Sequence, residues 1–135
     1  MEKYFSIKPP YFEIGPKAYI FGEEAYDFVR DADQIAAKYD VDIIFTAQYT
    51  DIYRLANSVK RINIFAQHLD SIDIGRGIGS VLPEAVKAAG AKGTLLNHSE
   101  RRVSLSEVRK TIIRADEVGL ATLVCADDIT EAQAI

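Results

Sequence analysis

The sequence predicts an α/β fold of about five parallel strands in chain order, alternating with helices within one domain, residues 1–135. Three observations carry this. Short runs rich in β-branched residues recur along the chain, each nearly continuous in apolar residues and each followed by a polar loop, as expected of strands buried on both faces. Between them lie segments whose apolar positions follow a helical period. The 135 residues, 48% hydrophobic and 27% charged, suffice for one core and little more.

The elements follow in order. Tyr4-Phe5-Ser6-Ile7 has strand-forming residues, but Pro9-Pro10 breaks it. Tyr11-Phe12-Glu13-Ile14 is the better first strand, because Gly15-Pro16-Lys17 turns the chain toward a helix. From Gly22 to Tyr39, the residues Ala25, Phe28, Val29, Ala32, Ile35, Ala36 and Tyr39 form one apolar stripe. Asp42 to Ala47 is the second strand. Asp51 to Val59 is a shorter helix with Ile52, Leu55, Ala56 and Val59 inward. Ile62 to Ala66 is the third strand. A helix opens at Ser80-Val81-Leu82-Pro83 and runs through Ala89, with Pro83 in its first turn and Gly90 as its stop.

Gly93 to Leu96 is the fourth strand. Ser104-Leu105-Ser106-Glu107 is a capping box that starts a helix with Leu105, Val108, Ile112 and Ala115 inward, and Gly119 ends it. Ala121 to Cys125 is the fifth strand. Asp128-Ile129-Thr130-Glu131 is a second capping box, and its helix stops at Ile135 without a terminator, under two turns long. The expectation is a chain cut inside its fifth helix. With two open sheet edges, it reads as the N-terminal portion of a longer (β/α)-repeat protein with right-handed crossovers and helices on the convex side.

Composition removes several functions. Sixteen Lys+Arg against 20 Asp+Glu give a net charge of −4, a poor match to nucleic acid or an anionic membrane surface. No apolar run approaches the ~20 residues of a membrane span. Met1-Glu2-Lys3-Tyr4 is not a secretory start. A single cysteine, Cys125, excludes an internal disulfide and suits a reducing, cytoplasmic setting. Two histidines and one cysteine are too few for a Cys/His zinc site. Asp127-Asp128 is read as a helix cap, His68 as a locally bonded loop residue, and Cys125 as a small, buried, inert core residue. The tyrosines and phenylalanines are scattered and make no base-stacking platform. Gly75-Arg76-Gly77-Ile78-Gly79 has no dinucleotide-binding spacing.

The segment richest in chemistry is Leu95-Leu96-Asn97-His98-Ser99-Glu100-Arg101-Arg102. It leaves the fourth strand at its carboxyl end, where parallel α/β folds place active sites. His98 suits carbonyl polarisation or proton transfer, and Glu100 suits an ion pair or a base. The residues alone leave a second reading open: a solvated loop with a local ion pair.

Asn97-His98-Ser99-Glu100-Arg101-Arg102 resembles the strand-four signature of the triose-phosphate isomerase family in its archaeal form. Phe65-Ala66-Gln67-His68-Leu69-Asp70 resembles that family's third strand and loop, and Val81 to Gly90 its third helix. Val124-Cys125 falls at its strand-five cysteine. The resemblance covers Tyr11 to Ile135, the first five βα units of eight, and implies a partial TIM (β/α)8 barrel.

By that resemblance the complete protein is an aldose–ketose isomerase. It acts on a small phosphorylated sugar through an enediolate, with no cofactor and no metal. His98 is the neutral electrophile, a role for which this enzyme is itself a standard example. Lys17 is the lysine that stabilises the enediolate and attracts the phosphate, and Glu100 is the acid beside it. Lys17 and Gly15 are substrate-binding positions, and the family has an asparagine where Gly15 stands. Asp70 to Ser80 matches a loop that inserts into a second subunit, so Arg76, Gly77 and Ile78 are interface positions of a homo-oligomer. Ile78 replaces the family's threonine there.

The resemblance puts the family's general base after strand six and its phosphate cradle after strands seven and eight, beyond these residues. The 135-residue chain is therefore expected to be inactive alone. A non-catalytic (β/α) half-barrel, an assembly or folding module, is the alternative. The isomerase reading requires Lys17 and His98 to share the carboxyl-end face, within about 10 Å.

Overall fold

Strands β1 (Tyr11–Ile14), β2 (Asp42–Ala47), β3 (Asn63–Ala66), β4 (Gly93–Leu96) and β5 (Ala121–Val124) pair in parallel, in the order of the chain. They alternate with α1 (Gly22–Tyr39), α2 (Ile52–Ala56), α3 (Pro83–Ala88), α4 (Leu105–Glu117) and α5 (Ile129–Ala134). The sheet curls into half a barrel, as the sequence predicts. The structure, a computed structural model, describes residues 5–135. Of the Tyr4–Ile7 segment, Tyr4 lies outside the described residues, and Phe5 to Ile7 form no strand.

The alternation of side chains along each strand explains why the strand runs are apolar without a break. On the convex side, Ile43, Phe45, Ala47, Ile64 and Ala66 join a core with Ala25, Val29, Ala32 and Ala36 of α1 and Leu55 of α2. On the concave side, the intervening positions Glu13, Thr46, Leu95 and Leu123 line a cavity. All six residues of central β2 are buried, whereas the four of edge strand β5 are only half-buried. Gly93 permits the central packing. A Cβ there would stand 2.6 Å from the Phe65 ring and 2.4 Å from the Ala121 carbonyl oxygen.

The structure corrects the helix faces in two places. The buried stripe of α1 is the alanine-rich set Ala25, Val29, Ala32 and Ala36, while Phe28, Ile35 and Tyr39 are exposed. Small residues let α1 sit close on β2. Phe28 still meets Phe45, with ring centroids 5.9 Å apart. In α4 the buried residues are Val108, Thr111 and Ala115, and Leu105 in the first turn is exposed. Helix α2 also ends earlier than its apolar pattern suggests. Asn57 Nδ2 donates to the Tyr53 carbonyl and Ser58 Oγ to that of Leu55, so short polar side chains take over the helix end.

The N-cap half of each capping box forms, while the two glutamates bond elsewhere. Ser104 Oγ accepts from the Glu107 N–H at 3.1 Å, and Asp128 Oδ1 from that of Glu131 at 2.8 Å. Long-range carboxylates join the layers. Asp33 of α1 accepts from the backbone N–H groups of Lys60, Arg61 and Ile62, fixing the turn into β3. Asp42, buried at the start of β2, accepts from the Lys8 N–H and from Arg61. Together these donors hold its carboxyl below the usual carboxylate range.

Candidate active site

The carboxyl ends of the strands open onto a cavity of about 720 Å³, lined by Gly15, Lys17, His98 and Glu100 among others. Two chain exits place these residues.

At the exit of β4, Asn97 takes a left-handed conformation, with φ of 59°, a region that asparagine tolerates better than most residues. The residue is 1% exposed, and its side chain makes three hydrogen bonds. Oδ1 accepts from the Val103 N–H at 3.1 Å, and Nδ2 donates to the Cys125 carbonyl at 3.0 Å and to Glu131 Oε1 at 3.4 Å. Asn97 therefore closes the loop that bears His98. Within that loop the Arg101 N–H donates to the His98 carbonyl at 2.8 Å. The Glu100 N–H donates to His98 Nδ1 at 3.1 Å. A ring nitrogen that accepts carries no proton, so the neutral imidazole bears its proton on Nε2.

Glu131 of α5 locks the same loop from outside. Its carboxylate accepts from the Asp127 N–H at 2.6 Å and from Arg102, and these contacts hold it below the usual range. Arg102 also pairs with Asp127 at 3.1 Å. Asp127 and Asp128 thus serve the helix start and the loop. Among the described residues, no group of three or more His, Cys, Asp or Glu is placed to hold a metal ion.

At the exit of β1, Lys17 is itself left-handed, with φ of 55°, an uncommon state for a long side chain. Two amides from neighbouring strand exits hold it there. Gln48 Nε2 and Gln67 Nε2 donate to the Lys17 carbonyl at 3.2 and 2.7 Å, and Gln67 also reaches the Thr46 carbonyl at 3.1 Å. The Lys17 ammonium meets Glu100 Oε1 at 3.0 Å. The hydrogen bond and charge of Glu100 push the lysine above its ordinary range, so it stays cationic at neutral pH. That ion pair joins the two exits.

Cys125 departs from the expectation of a buried core residue. It is half-buried and lines the cavity, because it lies just beyond the last residue of β5. Burial first, and the nearby Glu13 charge second, push its thiol up, away from the thiolate. His68 is buried against Asp70, with Nε2 to Oδ1 at 3.1 Å, as a locally bonded residue.

Arg76, Gly77 and Ile78 lie apart from the cavity, on an exposed loop after β3. The loop is anchored at its base, where Asp70 Oδ2 accepts from the Val81 N–H at 2.6 Å and Arg114 reaches the Ile72 carbonyl at 3.2 Å. At the tip, φ values of 149°, 154° and 82° at Gly75, Gly77 and Gly79 require glycine. The Ile78 side chain is fully exposed.

Sequence reasoning missed Gln48 and the roles of Gln67 and Asn97. The available signal was positional: each is the first or second polar residue after a strand. It also passed over Glu13, a charge within a strand, whose carboxylate faces the cavity.

The fold and site define half of a (β/α) barrel whose carboxyl-end loops gather a histidine, a lysine and a glutamate. The triosephosphate isomerase family model matches residues 14–135, and the chain belongs to that family. It is 50% identical over 103 residues to the triosephosphate isomerase of Methanobacterium bryantii, covering 76% of this chain and 45% of that protein. It is 42% identical over 95 residues to that of Saccharolobus solfataricus, covering 70% and 41%. The crystal structure of triosephosphate isomerase from Bartonella henselae superposes with a TM-score of 0.74 at 22% identity, over 92% of this chain and 54% of that one, a likeness of fold. The chain spans about half the length of the relatives it matches. Among the described residues, no helix is long and apolar enough to cross a membrane.

Proposed function

We propose that this chain carries the carbonyl-polarising half of an aldose–ketose isomerase site, and that the whole protein interconverts a small phosphorylated ketose and aldose through an enediolate. The observation that carries the reading is the Glu100 N–H donated to His98 Nδ1, which leaves Nε2–H as a neutral donor in a cavity that also holds Lys17. A neutral imidazole polarises the substrate carbonyl without taking a full charge. The Lys17 ammonium stabilises the oxyanion as it develops and draws in the phosphate. Glu100 holds the lysine in place and keeps it charged. Gly15 lines the same cavity, which supports its reading as a substrate-binding position.

None of these groups is free to remove a proton from carbon. Glu100 is engaged by Lys17, and His98 Nδ1 by the backbone. The resemblance puts the general base after strand six, beyond these residues, so the 135-residue chain alone is expected to be inactive. The exposed loop bearing Arg76, Gly77 and Ile78 is the self-association surface of a homo-oligomer. The single free cysteine supports a reducing cytoplasm as its setting.

The test is a coupled assay with dihydroxyacetone phosphate. The expected result is no turnover by the 135-residue chain and turnover by the product of the complete reading frame, reduced about 10²–10⁴-fold by His98→Ala. Turnover that is indifferent to His98→Ala contradicts the reading.

A further inference from the structure

Glu13 is an acid on the concave face of a barrel strand, in the same cavity as Lys17 and His98. Thr46 Oγ1 donates to its Oε1 at 3.2 Å, and Oε2 has no hydrogen-bond partner among the described residues. Gly15, two residues on, lacks a side chain, and the carboxylate uses that space. A Cβ at Gly15 would stand 2.9 Å from Glu13 Oε1. The strand-one wall of the cavity is thus an anionic acceptor, with no donor side chain at position 15.

An acceptor carboxylate constrains what can lie beside it. It repels the oxyanion of an enediolate, so the carbonyl oxygen must stay with His98 and Lys17. In a triose phosphate, the reacting carbonyl and hydroxyl are the only oxygens apart from the phosphate ester. Each of these two oxygens is a carbonyl on one side of the isomerisation, so neither gives Glu13 a hydroxyl throughout the reaction. A partner for it must come from a further carbon.

We propose that Glu13, in the space left by Gly15, accepts a hydrogen bond from an additional substrate hydroxyl, making the site selective for a sugar phosphate of four or more carbons. This rests on the isomerase reading above and names its substrate class. The reaction stays an isomerisation, in which one proton moves between adjacent carbons and no oxidant or co-reactant is needed.

The experiment compares kcat/KM for erythrulose 4-phosphate and dihydroxyacetone phosphate, by NMR, on the product of the complete reading frame. The wild type is expected to favour the four-carbon ketose. Glu13→Gln is expected to lower the ratio of the two constants by about tenfold or more, chiefly through KM for the longer sugar, as loss of a charged hydrogen bond does. Gly15→Asn sets an amide where the carboxylate reaches and lowers the ratio in the same direction. It provides an independent variant if Glu13→Gln folds poorly.

A wild type that prefers the triose, with a ratio unmoved by either substitution, overturns the proposal and leaves the isomerase reading standing. Equal losses on both sugars also overturn it, because they assign Glu13 to structure or proton transfer. Turnover of neither sugar by the wild type overturns both.

Discussion

The exits of β1 and β4 solve the same problem in different ways. Each stops a strand and brings a polar side chain to the cavity, and each does so with a non-glycine residue in the left-handed region, Lys17 and Asn97. At β4 the strained residue is its own strut. The buried Asn97 side chain bonds the loop ahead of it and the strand beside it, which frees the next residue, His98, to face the cavity. At β1 the strained residue is the one that lines the cavity and pairs with Glu100, so its side chain does not brace the turn. The bracing comes from Gln48 and Gln67 on neighbouring exits. A loop that carries its own brace leaves a compact signature in the sequence. A loop braced by its neighbours does not.

The largest expected effect falls on the self-braced exit. Asn97→Ala removes three hydrogen bonds from a buried site, leaves the Val103 N–H without its acceptor, and places a less tolerant residue at positive φ. Urea denaturation is expected to show a loss of about 3 kcal/mol. A loss under about 1 kcal/mol would mean that the β4 exit does not depend on its own side chain.

The neighbour-braced exit is expected to respond more weakly. Gln67→Ala costs about 1 kcal/mol in the same measurement, because its amide is half-buried and Gln48 still holds the Lys17 carbonyl. Adding Gln48→Ala to Gln67→Ala is expected to cost more than the sum of the singles, since the two share one acceptor. Strict additivity would show that they do not act on Lys17 together.

Acid separates the two exits with the smallest energies. Glu131 has a folded pKa below its ordinary value, so its support of the β4 exit is fully present above the unfolded pKa of about 4.3. That support is lost as pH falls through the folded pKa. The amides that brace Lys17 do not titrate. The protection of the Val103 and Asp127 amides, relative to their intrinsic exchange at each pH, is expected to fall below pH about 4 before the Gln48 and Gln67 side-chain resonances move. Simultaneous change at both exits would argue for global rather than local acid sensitivity.

The same distinction governs what the sequence reveals. Chemistry confined to a few consecutive residues was legible. The bounds of α1, the caps at Ser104 and Asp128, the proline opening of α3 and the local bond of His68 all depend on neighbours within one or two turns. Contacts across the fold were not legible. Nothing near Asp33 in sequence announces that it will bind the backbone 27 to 29 residues later. Phe28 and Ile35 share the helical period of the buried stripe yet are exposed, because periodicity gives a face and not how much of it the sheet covers. In the site, His98 and Glu100 stand in one compact motif. Lys17 was reached through resemblance, and Glu13 was hidden because it read as a strand residue.

The central claim is that the β4 exit holds His98 with Nδ1 as an acceptor, so that the neutral ring carries its proton on Nε2, in the same cavity as a lysine kept cationic. Long-range ¹H–¹⁵N correlation of the His98 ring near neutral pH tests it most directly, on the 135-residue chain and without any need for turnover. The account predicts a proton on Nε2 and an unprotonated Nδ1 that loses its acceptor signature when the loop is loosened by Asn97→Ala. A neutral ring with its proton on Nδ1 would contradict it.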